Sequence, residues 1–130
     1  MIVVDASVLS VALSDDGADG ASARASLKDH TLVAPELIDL EVVSVLRRRV
    51  KAGLMAPARA ELALTDLTEL PMRRASHGPL LPRCWELRDT VTPYDAAYVA
   101  LAEILGITLL TGDSRLSRAP GIRCAIEVVV

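Results

Sequence analysis

The sequence predicts an α/β protein built around a parallel β-sheet. Short apolar runs alternate along the chain with longer segments of helical period, and this alternation is typical of a parallel sheet covered by helices. Acidic residues follow the first apolar run directly and a later run after a single glycine. Because ligand sites in such sheets form at the carboxyl ends of the strands, we expect a functional site at that edge.

The apolar runs define five candidate strands. The first, MIVV, contains three consecutive β-branched residues and ends abruptly in Asp5, which suggests a strand buried on both faces. In chain order the predicted strands are MIVV at 1–4, TLVA at 31–34, ELPMR at 69–73, which is the weakest, ITLLT at 107–111 and RCAIEVV at 123–129.

Helical period fills the segments between these strands. The predicted helices lie at about 6–13, 20–29, 36–52, 57–67, 79–90 and 94–105. Pro35 suits a first helical turn, and Gly53 and Gly106 suit helix ends. Segments 17–20 and 76–79 are predicted to be loops, because residues that favour turns accumulate there.

Length and composition fit one domain spanning 1–130. Hydrophobic residues make up 52% of the chain, yet no apolar run approaches the roughly 20 residues that a membrane span needs. The excess is therefore expected in the core or at an interface. The two cysteines are far apart and the N-terminus lacks the basic region of a secretory signal, so we expect a reduced, cytoplasmic protein.

The charge distribution neither requires nor excludes a nucleic-acid ligand. The net charge of −3 argues against binding through charge alone. However, twelve of the fourteen basic residues are arginine, which suits bidentate recognition of phosphate. The sequence RRRVK at 47–51 has two interpretations, a solvated helix end whose cations suit the dipole or a rim that steers phosphate.

Four acidic residues lie in otherwise apolar surroundings: Asp5, Glu41, Asp95 and Asp113. Three of them have simpler explanations when taken singly. Asp5 could cap the next helix with help from Ser7, Asp95 suits a helix start, and Asp113 suits a turn. Glu41 has apolar neighbours one turn away in both directions, so only a salt bridge to an arginine would explain it otherwise.

Taken together, the four acids predict a metal site. Buried carboxylates that converge repel one another, and a hard cation among them removes that cost. Oxygen ligands favour Mg²⁺ or Mn²⁺ over zinc. The chain has only two histidines, His30 and His77, so a zinc site or a histidine general base is a poor candidate.

Four segments together resemble the PIN-domain ribonucleases. They are DAS after the first strand, PELIDLEVVSVL, TPYDAAYVALAEILG and LLTGDSRL. At this length the chain most resembles VapC-type toxins of bacterial toxin–antitoxin pairs, and the resemblance covers nearly the whole chain. It implies a three-layer α/β/α domain with a central, mostly parallel five-stranded sheet. It also implies that Asp5, Glu41, Asp95 and Asp113 form the acidic, catalytic metal site.

The same resemblance implies roles for residues around the acids. Ser7 and Thr111 would supply hydroxyls to the carboxylates, to metal-bound water or to substrate phosphate. Ser114 stands where some relatives carry a further acid, so a second metal ion would bind weakly or only together with substrate. Arg115, two residues after Asp113, is the better candidate for a phosphate contact.

The implied activity is that of an Mg²⁺- or Mn²⁺-dependent endoribonuclease toxin. Its expected substrate is structured RNA of the translation machinery, transfer or ribosomal RNA, cut in a single-stranded loop. The expected partners are a second copy of the chain and a VapB-type antitoxin that places a basic side chain in the acidic site.

Competing interpretations remain. The main alternative is a PIN-like module that binds RNA or protein without cleavage. A phosphoacceptor receiver domain would need a lysine after a late strand, and a dehalogenase-like phosphatase would need an acid where Ser7 stands.

Overall fold

In a computed structural model that describes residues 1–129, the centre of the molecule is a five-stranded sheet with the spatial order β3-β2-β1-β4-β5. Each pairing between neighbouring strands is parallel, so the sheet is parallel throughout rather than mostly parallel. The strands are β1 (Ile2–Val4), β2 (Leu32–Pro35), β3 (Arg73–Ala75), β4 (Leu109–Thr111) and β5 (Ile126–Val128).

Helices cover both faces of the sheet and give the predicted three-layer α/β/α arrangement. α6 packs against β1, β2, β4 and α5, whereas α1 packs against α2, α3, α4 and β4. The helices are α1 (Ala6–Ser14), α2 (Ala18–Leu27), α3 (Leu37–Lys51), α4 (Pro57–Glu69), α5 (Leu81–Glu86) and α6 (Pro93–Leu105), with 3₁₀ turns at Gly78–Leu80 and Leu116–Arg118. None of the helices in residues 1–129 is long and apolar enough to cross a bilayer.

The strand order creates a switch point between β1 and β4. From β1 the chain adds β2 and β3 on one side, and β4 and β5 lie on the other. Val3 is buried in the middle, in register with Val33 and with Leu109. The carboxyl ends of β1 and β4 are therefore adjacent, and this is where a parallel sheet leaves a crevice for a ligand.

The prediction for the third strand was wrong. The segment 69–73 contains the end of α4 and its C-cap at Leu70, and β3 begins only at Arg73. Helix α4 runs two residues beyond its predicted end at 67. The strand lies at the edge of the sheet and none of its three residues is buried, so its sequence RRA carries no apolar run that could reveal it.

The helix predicted at 79–90 is much shorter than expected. A 3₁₀ turn precedes α5, which ends at Glu86, and the chain then turns through Leu87 to Thr90. The strands predicted at 107–111 and 123–129 are also shorter, because ladder pairing extends only over β4 and β5.

Two further boundaries were misplaced. Pro35 closes β2 instead of opening a helix. α2 begins at Ala18, inside the predicted loop, and Gly20 is needed there because an added Cβ would lie 1.8 Å from the carbonyl oxygen of Asp15. The predicted helix ends at Gly53 and Gly106 are confirmed: both have positive φ, and Gly106 is the C-cap of α6.

Candidate metal centre

Asp5 is the most constrained of the four acids. It follows β1 and is the N-cap of α1, and only 8% of its surface is exposed. Its Oδ1 accepts hydrogen bonds from the Val8 N–H at 3.2 Å and from Ser7 Oγ at 2.5 Å, and its Oδ2 accepts one from Thr111 Oγ1 at 2.5 Å. The capping interpretation of Asp5 is therefore correct, and the same contacts fix the carboxylate at the switch point.

Glu41 is held by a tyrosine. Tyr98, on α6, is 2% exposed, and its hydroxyl donates a hydrogen bond of 2.5 Å to Glu41 Oε1. The salt bridge to an arginine, which was the alternative explanation of Glu41, does not form among residues 1–129. This acid from α3 is thus joined to α6 by a neutral donor, and its charge remains uncompensated.

Asp95 and Asp113 lie near the ends of their elements. Asp95 is in the first turn of α6, where its N–H donates to Thr92 Oγ1 at 3.2 Å. Asp113 follows β4 and occupies a turn, with Oδ1 accepting from the Arg115 N–H at 2.9 Å. The Arg115 guanidinium also contacts both carboxylate oxygens of Asp113, at 3.1 and 3.2 Å.

All four acids line one pocket of about 240 Å³, which we call the acidic pocket. Its lining consists of Asp5, Ala6, Ser7, Glu41, Ser44, Val45, Arg48, Asp95, Tyr98 and Asp113. Within residues 1–129, however, no three acidic, histidine or cysteine side chains are arranged as a ready set of metal ligands. The carboxylates therefore share a pocket without converging on one point.

Three of the four acids resist ionisation. Burial raises the pKa of Asp5, and repulsion from Asp95 adds to the shift, while hydrogen bonds from Ser7 and Thr111 oppose it. Burial likewise raises the pKa of Glu41 and, with repulsion from Asp113, that of Asp95. Only Asp113 has a lowered pKa, because Arg115 hydrogen-bonds its carboxylate. Of the four acids in the pocket, only Asp113 forms an ion pair within residues 1–129, with the Arg115 guanidinium.

The donor set fits a hydrated Mg²⁺ or Mn²⁺ ion. The acidic side chains offer oxygen ligands, which these hard ions prefer. Mg²⁺ usually keeps several waters and takes only one or two carboxylates from the protein, so convergence of three ligands is not required. A pocket of about 240 Å³ has room for an ion with waters, since one water occupies roughly 30 Å³ of liquid.

The hydroxyl residues differ in their relation to the pocket. Ser7 Oγ donates to Asp5 and accepts from the Gly112 N–H at 2.8 Å, so it links α1 to the turn after β4. Thr111 is buried, and its Oγ1 accepts from the Asp113 N–H at 3.0 Å while donating to Asp5. Ser114 is exposed and does not line the acidic pocket.

Sequence reasoning missed Tyr98 as a residue of the pocket, and it considered Arg48 only as one member of the RRRVK cluster. Tyr98 stands three residues after Asp95 on the same helical face, where a tyrosine among aliphatic residues was the available signal. Arg48 stands two turns after Glu41 on α3, and its Nη1 donates to Ser44 Oγ at 3.1 Å. Part of the RRRVK cluster therefore faces the acids.

Comparisons with known proteins agree with this fold. The family model described as "PIN domain" matches residues 2–122. Ribonuclease VapC1 of Mycobacterium tuberculosis is 45% identical to this chain over 128 residues, which cover 98% of this chain and 96% of that protein.

Solved structures show the same architecture at lower identity. The crystal structure of Mycobacterium tuberculosis VapC20, a sarcin-ricin loop cleaving toxin, matches with a TM-score of 0.73 and 19% identity over 95% of this chain and 97% of that one. VapBC2 from Rickettsia felis, bound to a DNA fragment from its promoter, matches with a TM-score of 0.67 and 15% identity over 100% of both chains.

Proposed function

The chain belongs to the PIN-domain family and is similar over nearly its whole length to VapC ribonucleases, and we propose that it is a metal-dependent endoribonuclease toxin controlled by a cognate antitoxin. One structural observation carries the metal dependence. The four acids line a single pocket at the switch point of a parallel sheet, with three of their pKa values raised. A divalent cation is the ligand that such a pocket needs.

Asp5, Glu41, Asp95 and Asp113 would hold the Mg²⁺ or Mn²⁺ ion. When bound, such an ion lowers the pKa of a coordinated water and offsets the charge that builds up on a phosphodiester during hydrolysis. The chain supplies the orientation of the ligands. Ser7, Thr111 and the Val8 N–H fix both oxygens of Asp5.

Arginines on two sides of the acidic pocket would position the phosphates of the substrate. Arg48 lines the pocket from α3, and Arg115 lies beside Asp113 with 83% of its side chain exposed. Aromatic residues are only 2% of the sequence. Recognition would therefore depend on backbone contacts and shape more than on base stacking.

The proposed substrate is a single-stranded loop of structured RNA from the translation machinery, either transfer or ribosomal RNA. Unpaired nucleotides can be drawn into a pocket that a duplex cannot enter. The fold of VapC20, a sarcin-ricin loop cleaving toxin, supports this substrate class by analogy. Such a substrate also places the proposed activity in the cytoplasm.

The antitoxin would bind in an apolar groove between the helices on one face of the sheet. This groove, of about 1000 Å³, is lined by residues of α1, α2 and α4, including Leu9, Leu13 and Leu27. No residue of α3 lines it. The likeness to VapBC2 supports an antitoxin partner. A homodimer is proposed as well, because Leu40 and Trp85 are 75% and 69% exposed and would gain a partner.

The decisive experiment is cleavage of total RNA by the wild type and by Asp95→Asn, with Mg²⁺, with Mn²⁺ or with EDTA. We expect discrete fragments only from the wild type and only with a metal ion, and mapping of their ends identifies the RNA. Binding of RNA without cleavage under every condition would overturn the proposal in favour of a non-catalytic PIN-like module.

A further inference from the structure

A second cleft opens beside the acidic pocket, and we call it the flanking cleft. It has a volume of about 550 Å³ and lies between the segment 88–93 on one side and Arg115, Leu116 and Ala119 on the other. Asp95 and Asp113 line both the flanking cleft and the acidic pocket. A polymer strand whose phosphodiester lies in the acidic pocket can therefore extend into the flanking cleft.

The lining of the flanking cleft offers groups that recognise a nucleotide. Arg88 supplies a guanidinium group, which matches phosphate oxygens bidentately, and Arg115 supplies a second one that already binds Asp113. Asp89 and Thr90 are exposed, and within residues 1–129 their side chains make no hydrogen bond. A carboxylate and a hydroxyl can pair with the donors and acceptors on a base edge.

Arg88 is held in place by Trp85 and keeps hydrogen-bond donors for a ligand. Its guanidinium carbon lies 4.6 Å from the centroid of the Trp85 ring, and its Nη1 donates to the Trp85 carbonyl at 3.0 Å. A guanidinium has five N–H donors, so most of them remain for a ligand. By contrast, Arg74 and Arg83 each bind a carboxylate and one or more main-chain carbonyls.

The charge of the flanking cleft makes binding of a phosphate depend on the metal ion. Two arginines line it against three aspartates, Asp89, Asp95 and Asp113. Without a cation the lining thus carries an excess of negative charge, which repels phosphate. A divalent ion held by the two shared aspartates would reverse the sign.

We propose that the flanking cleft binds the single-stranded nucleotide next to the cleaved phosphodiester, with Arg88 contacting its phosphate and Asp89 and Thr90 facing its base. The inference rests on the proposed ribonuclease function and deepens it. It assigns a specificity site to the segment between α5 and α6.

The test measures how Arg88→Gln changes binding of a short fluorescein-labelled single-stranded RNA of mixed sequence by anisotropy, over a series of salt concentrations with Mg²⁺. The RNA carries phosphorothioate linkages to suppress cleavage, so every protein keeps the four acids that would hold the Mg²⁺ ion. We expect Arg88→Gln to weaken binding about 10-fold, since it removes a hydrogen bond to a charged group. The slope of log K against log salt should fall by about 0.7, the value for one phosphate contact on a single strand. Arg88→Lys, which keeps the charge, should restore the slope.

The matched control is Arg73→Gln. It removes an exposed arginine from β3, an edge strand separated from β4 by β1 and β2. Equal affinity and equal salt slope for Arg88→Gln and Arg73→Gln would overturn the inference. So would an effect of Arg88→Gln that persists unchanged in EDTA.

Cleavage separates failure of this inference from failure of the proposed function. If the wild type cleaves total RNA with Mg²⁺ but Arg88→Gln leaves KM unchanged, the inference about the flanking cleft is wrong and the proposed ribonuclease function stands. If the wild type neither cleaves nor binds RNA, both are wrong. A rise in KM with little change in kcat supports the flanking cleft as a binding site.

Discussion

The partly buried acids at the two ends of α6 have pKa values shifted in opposite directions. At the C-terminal end, burial raises the pKa of Glu103, but hydrogen bonds from Arg83 and from the Arg123 N–H outweigh it, so the pKa lies below its ordinary value. At the N-terminal end, burial and the repulsion of Asp113 raise the pKa of Asp95, and its hydrogen bond with Thr92 and the charge of Arg115 do not restore it.

The difference lies in where the compensating cation comes from. The Arg83 guanidinium contacts both oxygens of Glu103, at 2.7 and 3.3 Å, and also binds the Gly121 carbonyl at 2.6 Å. The side chains of both Arg83 and Glu103 are at least 85% buried. Glu103 is therefore a stabilising contact completed within the chain, whereas Asp95 requires a cation from outside it.

The largest effect is expected from removing the carboxylate of Asp95, at the N-terminal end of α6. Asp95→Asn should lower cleavage by more than about 100-fold, because even replacing the partners of metal ligands commonly costs 10–100-fold. Its thermal midpoint should stay the same or rise, since one repelling carboxylate is lost. Asp5→Asn should lower cleavage to the same degree. Cleavage undiminished in both variants would contradict the assignment of the site.

At the C-terminal end of α6, removing a charge is expected to lower stability. Arg83→Ala leaves Glu103 buried without its cation and should lower the free energy of unfolding by about 3 kcal/mol. Denaturant unfolding measures this. Glu86→Gln is the matched control, because Glu86 is the exposed partner of Arg83 and its loss should cost under about 1 kcal/mol. Equal effects of the two variants would show that burial of the pair does not decide stability.

A smaller effect should follow from loosening an acid without removing its charge. Tyr98→Phe deletes the hydroxyl that holds Glu41 and keeps the ring. We expect Mn²⁺ affinity, measured by calorimetry, to fall about 10-fold, as for other partners of metal ligands. Tyr94→Phe on the same helix is the control, since Tyr94 is 62% exposed. Unchanged Mn²⁺ affinity in Tyr98→Phe would exclude a positioning role for the hydroxyl.

The smallest effect is a dependence of stability on pH in the metal-free protein. Asp5, Glu41 and Asp95 have pKa values raised above the ordinary 3.8 or 4.5. Each contributes stability in its protonated form and loses it as the pH rises through the raised pKa. Lowering the pH from neutral towards these ordinary values should therefore raise the thermal midpoint.

The sign reverses at still lower pH. Glu103 and Asp113 have lowered pKa values, so their contributions are lost only below the ordinary values. Saturating Mg²⁺ should flatten the rise of the thermal midpoint between neutral pH and the ordinary pKa values. Asp95→Asn should make that rise smaller. A midpoint that falls steadily from neutral pH downwards would contradict the raised pKa values of the pocket.

Much of the fold and of the acidic site could be predicted from the sequence. Strands and helices could be told apart by the spacing of their apolar residues. The four acids were recognisable because each stood in or next to an apolar segment. Glu41 in LIDLEVVSVL is the clearest case. The weak strand was misplaced because an exposed edge strand such as RRA contains no apolar pattern.

The sequence by itself determined the parallel α/β fold, the family and the residues that carry the charge, because burial and charge are local properties of each element. Only the tertiary structure decided which partner each charge meets. Tyr98 rather than an arginine holds Glu41, Arg83 is committed to Glu103, and Arg88 keeps free donors beside the acids. Such pairings join residues distant in the chain, and the packing of helices on the sheet sets them.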